Sequence, residues 1–145
     1  MGPISLNDIF LTPLNQIEVK GGNVLHALKE SSFGYHGFGE AYFSSVEKGA
    51  IKAWKLHKKM FMNLIVPVGV VRFVFCLNNK FINDFRIEEI GYLNYSRITV
   101  PPGIWFGFMG LAEQKSLILN ITNIEHDQNE VEKLNADLID FDWYI

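Results

Sequence analysis

Gly49-Ala-Ile-Lys52-Ala-Trp-Lys55-Leu-His57-Lys-Lys-Met-Phe-Met62-Asn63-Leu-Ile-Val-Pro-Val-Gly69 is the stretch that decides the fold. Two runs of strand-forming residues, Ala50–His57 and Met62–Val68, flank a basic break at Lys58-Lys59. Side chains on a strand alternate between faces with period two. Strict alternation predicts Ala53, Lys55 and His57 on one face and Lys52, Trp54 and Leu56 on the other. An amine and an imidazole on an inward face make a site; on an outward face they make a solvated edge.

Outward from this stretch the pattern is strand after strand. Glu40–Val46, Val70–Leu77, Phe85–Ile90, Tyr95–Val100, Ile104–Met109 and Ser116–Thr122 carry aromatic and β-branched residues. Lys48-Gly49, Asn78-Asn79, Gly91–Asn94 and Pro101-Pro102-Gly103 punctuate them as turns. Short strands about ten residues apart predict an antiparallel sandwich or barrel, and no helical pattern long enough for parallel crossovers intervenes. The N-terminal side predicts an arm with a short strand at Gln16–Lys20, a short helix or strand at Asn23–Glu30 and a loop at Ser31–Gly39. The expected organisation is one domain over 1–145: arm and loop to 37, barrel core over 38–123, and a short irregular tail over 124–145 with a helical turn near Asn129–Leu134.

Aromatic residues make up 14 % of the chain and twelve are Phe, ample material for a core at 145 residues. A net charge of −3 excludes a general nucleic-acid footprint, although Lys52, Lys55, Lys58 and Lys59 form a local basic patch. The single cysteine, Cys76, sits in an apolar run and cannot form an intramolecular disulfide. The start Met-Gly-Pro-Ile-Ser-Leu-Asn-Asp lacks the charged and apolar regions of a signal peptide. No apolar run approaches the roughly 18 residues of a membrane span. The expectation is a cytoplasmic protein with no membrane partner.

Two stretches resemble a known family. Lys48-Gly49-Ala50-Ile51-Lys52-Ala53-Trp54-Lys55 resembles the Lys-Gly-Val-Leu-Arg-Gly-Leu-His strand of dTDP-4-dehydrorhamnose 3,5-epimerases, and Val100-Pro101-Pro102-Gly103-Ile104-Trp105-Phe106-Gly107-Phe108 their Ile-Pro-Pro-Gly-Phe-Ala-His-Gly-Phe turn. Phe38–Phe43 and Asp140-Phe141-Asp142-Trp143 extend the likeness to roughly residues 38–143. Lys55-Leu56-His57-Lys58 is also similar to the His-Ala-His-Lys run of the sugar 3,4-ketoisomerases. The resemblance implies an all-β, cupin (RmlC-like) jelly-roll β-barrel. It further implies a cofactor-independent isomerase or epimerase acting on a nucleotide-linked 4-keto-6-deoxy sugar, by proton abstraction alpha to the ketone, in surface-polysaccharide sugar biosynthesis. A homodimer paired through the N-terminal strand is implied as well, with the apolar residues of Ile4–Lys20 needing cover.

The departures bear on chemistry. The epimerase histidine aligns without a gap with Lys55, and a shift of one or two residues brings in His57. The opposing tyrosine is replaced by Leu119 or Asn120, and the histidine of the Pro-Pro-Gly turn by Phe106. Of four metal-cupin ligand positions, reading Lys55, His57, roughly Asn63 and Phe106, one keeps a ligand. A divalent site needs about three, so no metal is expected. The alternative to an enzyme is a nucleotide-sugar-binding cupin that has lost its acid and base.

His57 and Lys55 are the candidate catalytic residues: the imidazole as base with the amine beside it, or the amine as base or Schiff-base former. Asn63 and Asn120, amides in apolar strands, need partners and are candidate substrate donors. Arg72 pairs with an anion or with a surface carboxylate. Tyr42 and Trp105 stack on a base or sugar, or pack in the core. Lys52 joins the anion-binding set, and His126 with the acidic tail covers the barrel mouth or a dimer contact.

Overall fold

β-branched and aromatic residues, broken by Gly, Pro and Asn turns, leave almost no room for helix. The computed structural model describes residues 2–79 and 82–145. Among them the strands are β1 (Phe10–Pro13), β2 (Gln16–Ile17), β3 (Val24–Leu25), β4 (Glu40–Val46), β5 (Ile51–His57), β6 (Met62–Val68), β7 (Val70–Asn79), β8 (Ile82–Gly91), β9 (Ser96–Val100), β10 (Trp105–Gly110), β11 (Ser116–Thr122) and β12 (Val131–Lys133). Two antiparallel five-stranded sheets run β1-β9-β6-β11-β4 and β12-β5-β10-β7-β8, with β2-β3 as a separate hairpin. Almost every sequence neighbour in the core switches sheets, the jelly-roll wiring of a cupin. Asn78 and Asn79, expected as a turn, instead end β7 and pair with Asn83 and Ile82 of β8.

The inner faces of the two sheets meet over Leu64, Val66, Phe73, Phe75, Ile98 and Ile118, all buried. A second apolar cluster lies on the outer face of the β5-containing sheet, where Trp54, Val74, Cys76 and Met109 are capped by Ile139 and Trp143 of the C-terminal tail. Trp54 packs on Trp143 with ring centroids 5.3 Å apart, and its indole N–H donates to the Ala136 carbonyl at 3.1 Å. The tail is therefore a packed cover, not an irregular appendage. The helical turn expected at Asn129–Leu134 is instead strand β12, which pairs with β5. The reason is physical: three residues of strand with no alternation of their own take their conformation from the edge they pair with.

The N-terminal arm is also tied down within the chain. β1 adds to β9, Ile9 is buried, and Leu6 and Leu11 pack on the core. Arg86 donates to the carbonyls of Leu6 at 2.9 Å and Ile9 at 2.7 Å. Leu6, Ile9 and Leu11 find their cover on the parent chain, while Ile4, Phe10, Ile17 and Val19 are left exposed. Of the segment Asn23–Glu30, only Val24–Leu25 is strand.

One irregularity places the site. The β10–β5 register shifts between Phe106, opposite Lys55, and Gly107, opposite Ala53. Trp54 is the extra residue, and a bulge of this kind flips the faces on one side of it. Lys52, opposite the inward Phe108, thereby joins Lys55 and His57 on the inner face, while Ala53 joins Trp54 in the outer cluster. Strict alternation assigned Ala53 and Lys52 the other way round. The bulge brings strands so close that a Cβ on Gly107 would lie 2.5 Å from the Ala53 Cβ. Gly107→Ala is expected to destabilise the protein by about 1–3 kcal/mol, the usual cost of overpacking, as a lowered urea midpoint with unchanged slope.

Candidate active site

The inward face of β5, closed by β4, β11, β10 and the segment after β12, encloses a cavity of about 510 Å³, within the range of small-ligand sites. His57, Lys55, Lys52, Tyr42, Asn120 and Lys133 supply its polar lining, and Phe106, Phe108, Met62 and Trp54 its apolar wall. Lys55 and His57 thus face inward, together.

His57 is held from behind. It is 7 % exposed, and its Nδ1 makes a buried hydrogen-bond contact with Glu130 Oε1. Glu130 lies just before β12 and is itself buried. Its other oxygen accepts from the backbone N–H groups of Lys58 at 3.2 Å, Lys59 at 3.1 Å and Met60 at 3.2 Å. The chain after β5 curls so that three successive amides converge, an anion-binding nest, and the Glu130 carboxylate fills it. Burial alone would raise the Glu130 pKa, but the His57 contact and the amides outweigh it and hold the group below the usual carboxylate range. Burial keeps His57 below the ordinary imidazole value, although the carboxylate pulls the other way. The consistent state is a carboxylate accepting from Nδ1–H of a neutral imidazole, which leaves the Nε2 lone pair available. Phe106 flanks the ring, centroids 6.0 Å apart.

Around this imidazole the cavity is cationic. Lys133 stands directly opposite Lys55 across the β12–β5 pair, and no Asp or Glu lines the cavity. Burial, then Lys133 and Lys52, lower the Lys55 pKa. Lys52 donates to the Ser45 carbonyl at 2.9 Å. On the facing sheet, Asn120 and Tyr42 are direct cross-strand partners. The Asn120 amide nitrogen donates to Ser44 Oγ at 3.1 Å and to the carbonyls of Tyr42 and Ile118, each at 3.3 Å. Burial, and then Glu40, raise the Tyr42 pKa, so the phenol keeps its proton.

Three expected binding residues lie elsewhere. Asn63 is on the outer face of its sheet, where Oδ1 accepts from Arg97 at 3.0 Å and from Thr99 at 2.6 Å. Its amide nitrogen donates to the Gly34 carbonyl at 3.0 Å, so it clamps a loop. The period of two explains this, because neighbouring Met62 takes the inward position. Arg72 is on the outer side of its own sheet, paired with Glu89 at 2.7 Å and bonded to the Trp143 carbonyl at 2.6 Å. Trp105 packs against the outer aromatic cluster. Conversely, Glu130 and Lys133 escaped the sequence analysis. They sit in an acidic, polar tail without periodicity, and only β12 pairing brings them to the cavity. Among the described residues no three His, Cys, Asp or Glu side chains converge as a metal set, and no helix is long and apolar enough to cross a membrane.

No protein-family model matches the chain, and no curated protein matches it. Solved structures do. A dTDP sugar isomerase from Desulfovibrio desulfuricans G20 superposes with a TM-score of 0.86 at 35 % identity, covering 93 % of this chain and 90 % of the other. A sugar 3,4-ketoisomerase from Thermoanaerobacterium thermosaccharolyticum, in complex with TDP, gives 0.76 at 18 % identity over 92 % and 93 % of the two chains. A dTDP-4-dehydrorhamnose 3,5-epimerase from Sulfolobus tokodaii gives 0.78 at 19 %, over 97 % and 84 %. The last two share the fold. With the identity and coverage of the first, the chain belongs to the RmlC-like cupin family, the family of that dTDP sugar isomerase.

Proposed function

We propose that the protein is a cofactor-independent isomerase of a nucleotide-linked 4-keto-6-deoxy sugar. The observation that carries this reading is the carboxylate-backed imidazole of His57 on the wall of a cationic cavity. Its Nε2 takes the proton from the carbon next to the ketone. The C–H electron pair becomes the enolate double bond, and the ketone oxygen takes up the negative charge. The Tyr42 phenol, on the cavity wall, is the donor for that oxygen. The imidazolium then gives that proton to the former carbonyl carbon while the neighbouring hydroxyl proton passes to the old ketone oxygen, which moves the ketone. Protonation of the original carbon by water from the opposite face, with the imidazolium losing its proton to solvent, instead inverts that centre.

Lys52, Lys55 and Lys133 account for the other half of the substrate. Like charges facing each other across a strand pair cost free energy, and a diphosphate between them removes that cost. Asn120, with its amide nitrogen engaged, orients the sugar. A non-catalytic sugar-nucleotide binder is the second reading, favoured by Asn120 standing where the epimerases carry tyrosine. Tyr42 beside it supplies a phenol to the same cavity and weighs against that reading.

A second copy of the chain is the proposed partner. The outer face of the β1-containing sheet carries Phe43, Leu117, Leu119, Ile121 and Val68, with Phe43 62 % and Val68 46 % exposed. Light scattering is expected to give a dimer at micromolar concentration, and Phe43→Lys to shift it toward monomer.

Solvent deuterium should enter a dTDP-4-keto-6-deoxyhexose next to the ketone; no exchange with any of several nucleotide 4-keto sugars that nonetheless raise the melting temperature selects the binder. His57→Asn should lower turnover by roughly 10²–10⁴, the weight of a general base. Lys55→Met should weaken binding and alter the pH profile more than the chemical step, and the reverse pattern would make Lys55 the base.

Glu130→Gln is expected to cost about 10–100-fold in kcat, as for other groups that orient a functional imidazole. It also moves the acid limb of kcat/KM. Burial already places that limb below the ordinary histidine value of 6.5. Removing the carboxylate removes what holds the imidazole pKa up, so the limb shifts to lower pH, measurable in the profile of the slower variant.

A further inference from the structure

On the outer face of the β1-containing sheet, away from the active cavity, Arg97 is 2 % exposed. Its Nε donates to Asn63 Oδ1 at 3.0 Å, and its two terminal nitrogens donate to the carbonyls of Ala27 at 2.9 Å and Phe33 at 2.7 Å. All three acceptors are neutral. A guanidinium has five N–H groups, so two remain after these bonds. Among the described residues the ion pairs involve other side chains, and no carboxylate neutralises Arg97. Glu30, in the adjacent loop, is exposed and makes no pair with it. Burying a cation without a counter-charge is costly.

Arg97 forms part of the lining of a pocket of about 330 Å³ between β1 and the loop over 26–33. The other charged or titratable lining residues are His26 and Lys29, the hydroxyls of Thr12, Ser31 and Ser32 and the Asn15 amide complete the polar wall, and among the described residues no Asp or Glu lines it. Ser32 Oγ accepts from the Lys29 N–H at 2.9 Å, which leaves its own O–H free to donate. We propose that this pocket is a second anion site, separate from the active cavity, for one phosphate or carboxylate group carried by a small molecule. The volume is at the low end of ligand sites and takes an oxyanion with a small organic group. A loop clamp alone accounts for the three bonds of Arg97; it leaves unexplained why Lys29, His26 and several hydroxyls, with no carboxylate among the described lining residues, gather around a buried guanidinium that lacks a counter-charge. Bound there, the anion supplies the missing counter-charge and pins the loop to β1.

The test is titration calorimetry at constant ionic strength with inorganic phosphate and, separately, acetate, on the wild type, Lys29→Glu, His26→Asn and Lys133→Met. Lys29 is exposed, so its variant keeps the fold. At least one anion is expected to bind the wild type and Lys133→Met equally, within about twofold, and to bind Lys29→Glu and His26→Asn roughly tenfold more weakly, the scale of one charged contact. Phosphate alone binding, or acetate alone, names the group. Binding of neither overturns the proposal, and so does binding that Lys133→Met abolishes while Lys29→Glu leaves it intact, since the anion then sits in the active cavity.

Discussion

The Glu130 carboxylate in its nest of three amides is the contact on which the rest of the site depends. It joins the end of β5, the turn at Lys58–Met60 and the strand β12 at one buried point. A buried ion pair alone is weak support for a fold, because removing two charges from water costs several kcal/mol per ion. Here the histidine is neutral, so only the carboxylate pays that cost, and four donors surround it. The arrangement therefore favours a docked tail and a neutral imidazole together. Each depends on the other, since a protonated His57 would be a second buried charge and an undocked β12 would leave the amides without an acceptor.

Docking β12 also completes the cavity. Lys133, Leu134 and Asn135 form one side of it, and the residues that follow run on to cover Trp54 from outside. Trp54 thus touches both the apolar cover and the reactive wall. The bulge that exposes it to both also puts Lys52 beside Lys55. Packing of the second core and placement of the cationic groups are two results of one extra residue in β5.

The strand pattern was legible in the sequence because both sheets bury one face and keep period two over most of their length: β4, β6 and β11 fall where Glu40–Val46, Met62–Val68 and Ser116–Thr122 predicted. The inward direction of Lys55 and His57 was left open by pattern and is resolved by the sandwich. What escaped has local causes. A bulge leaves no mark in the sequence beyond the small residues Ala53 and Gly107 that permit it. β12 is too short to show a period and follows from an edge that needs a partner. Asn63 and Asn120 look alike as amides in apolar strands, yet one faces the loop and the other the cavity, and only the phase of the alternation separates them. Arg97 sits in a strand that reads as β-forming throughout, and its burial depends on a loop that carries no signal for it.

The same geometry bears on the missing tyrosine. In an antiparallel pair, side chains directly opposite have Cβ atoms about 4.5–5.5 Å apart, less than the length of a phenol side chain. A proton donor can therefore move from one strand to the position facing it and still reach the same point in the cavity. Asn120 occupies the place where the epimerase resemblance leads one to look for tyrosine, and its registered partner is Tyr42. On the proposed reading the phenol is exchanged between neighbouring strands, not lost. Phe106 is different: its partners are Lys55 and Phe75, and no histidine stands across from it. That position is part of the apolar wall, so among the described residues lining the cavity His57 is the one imidazole.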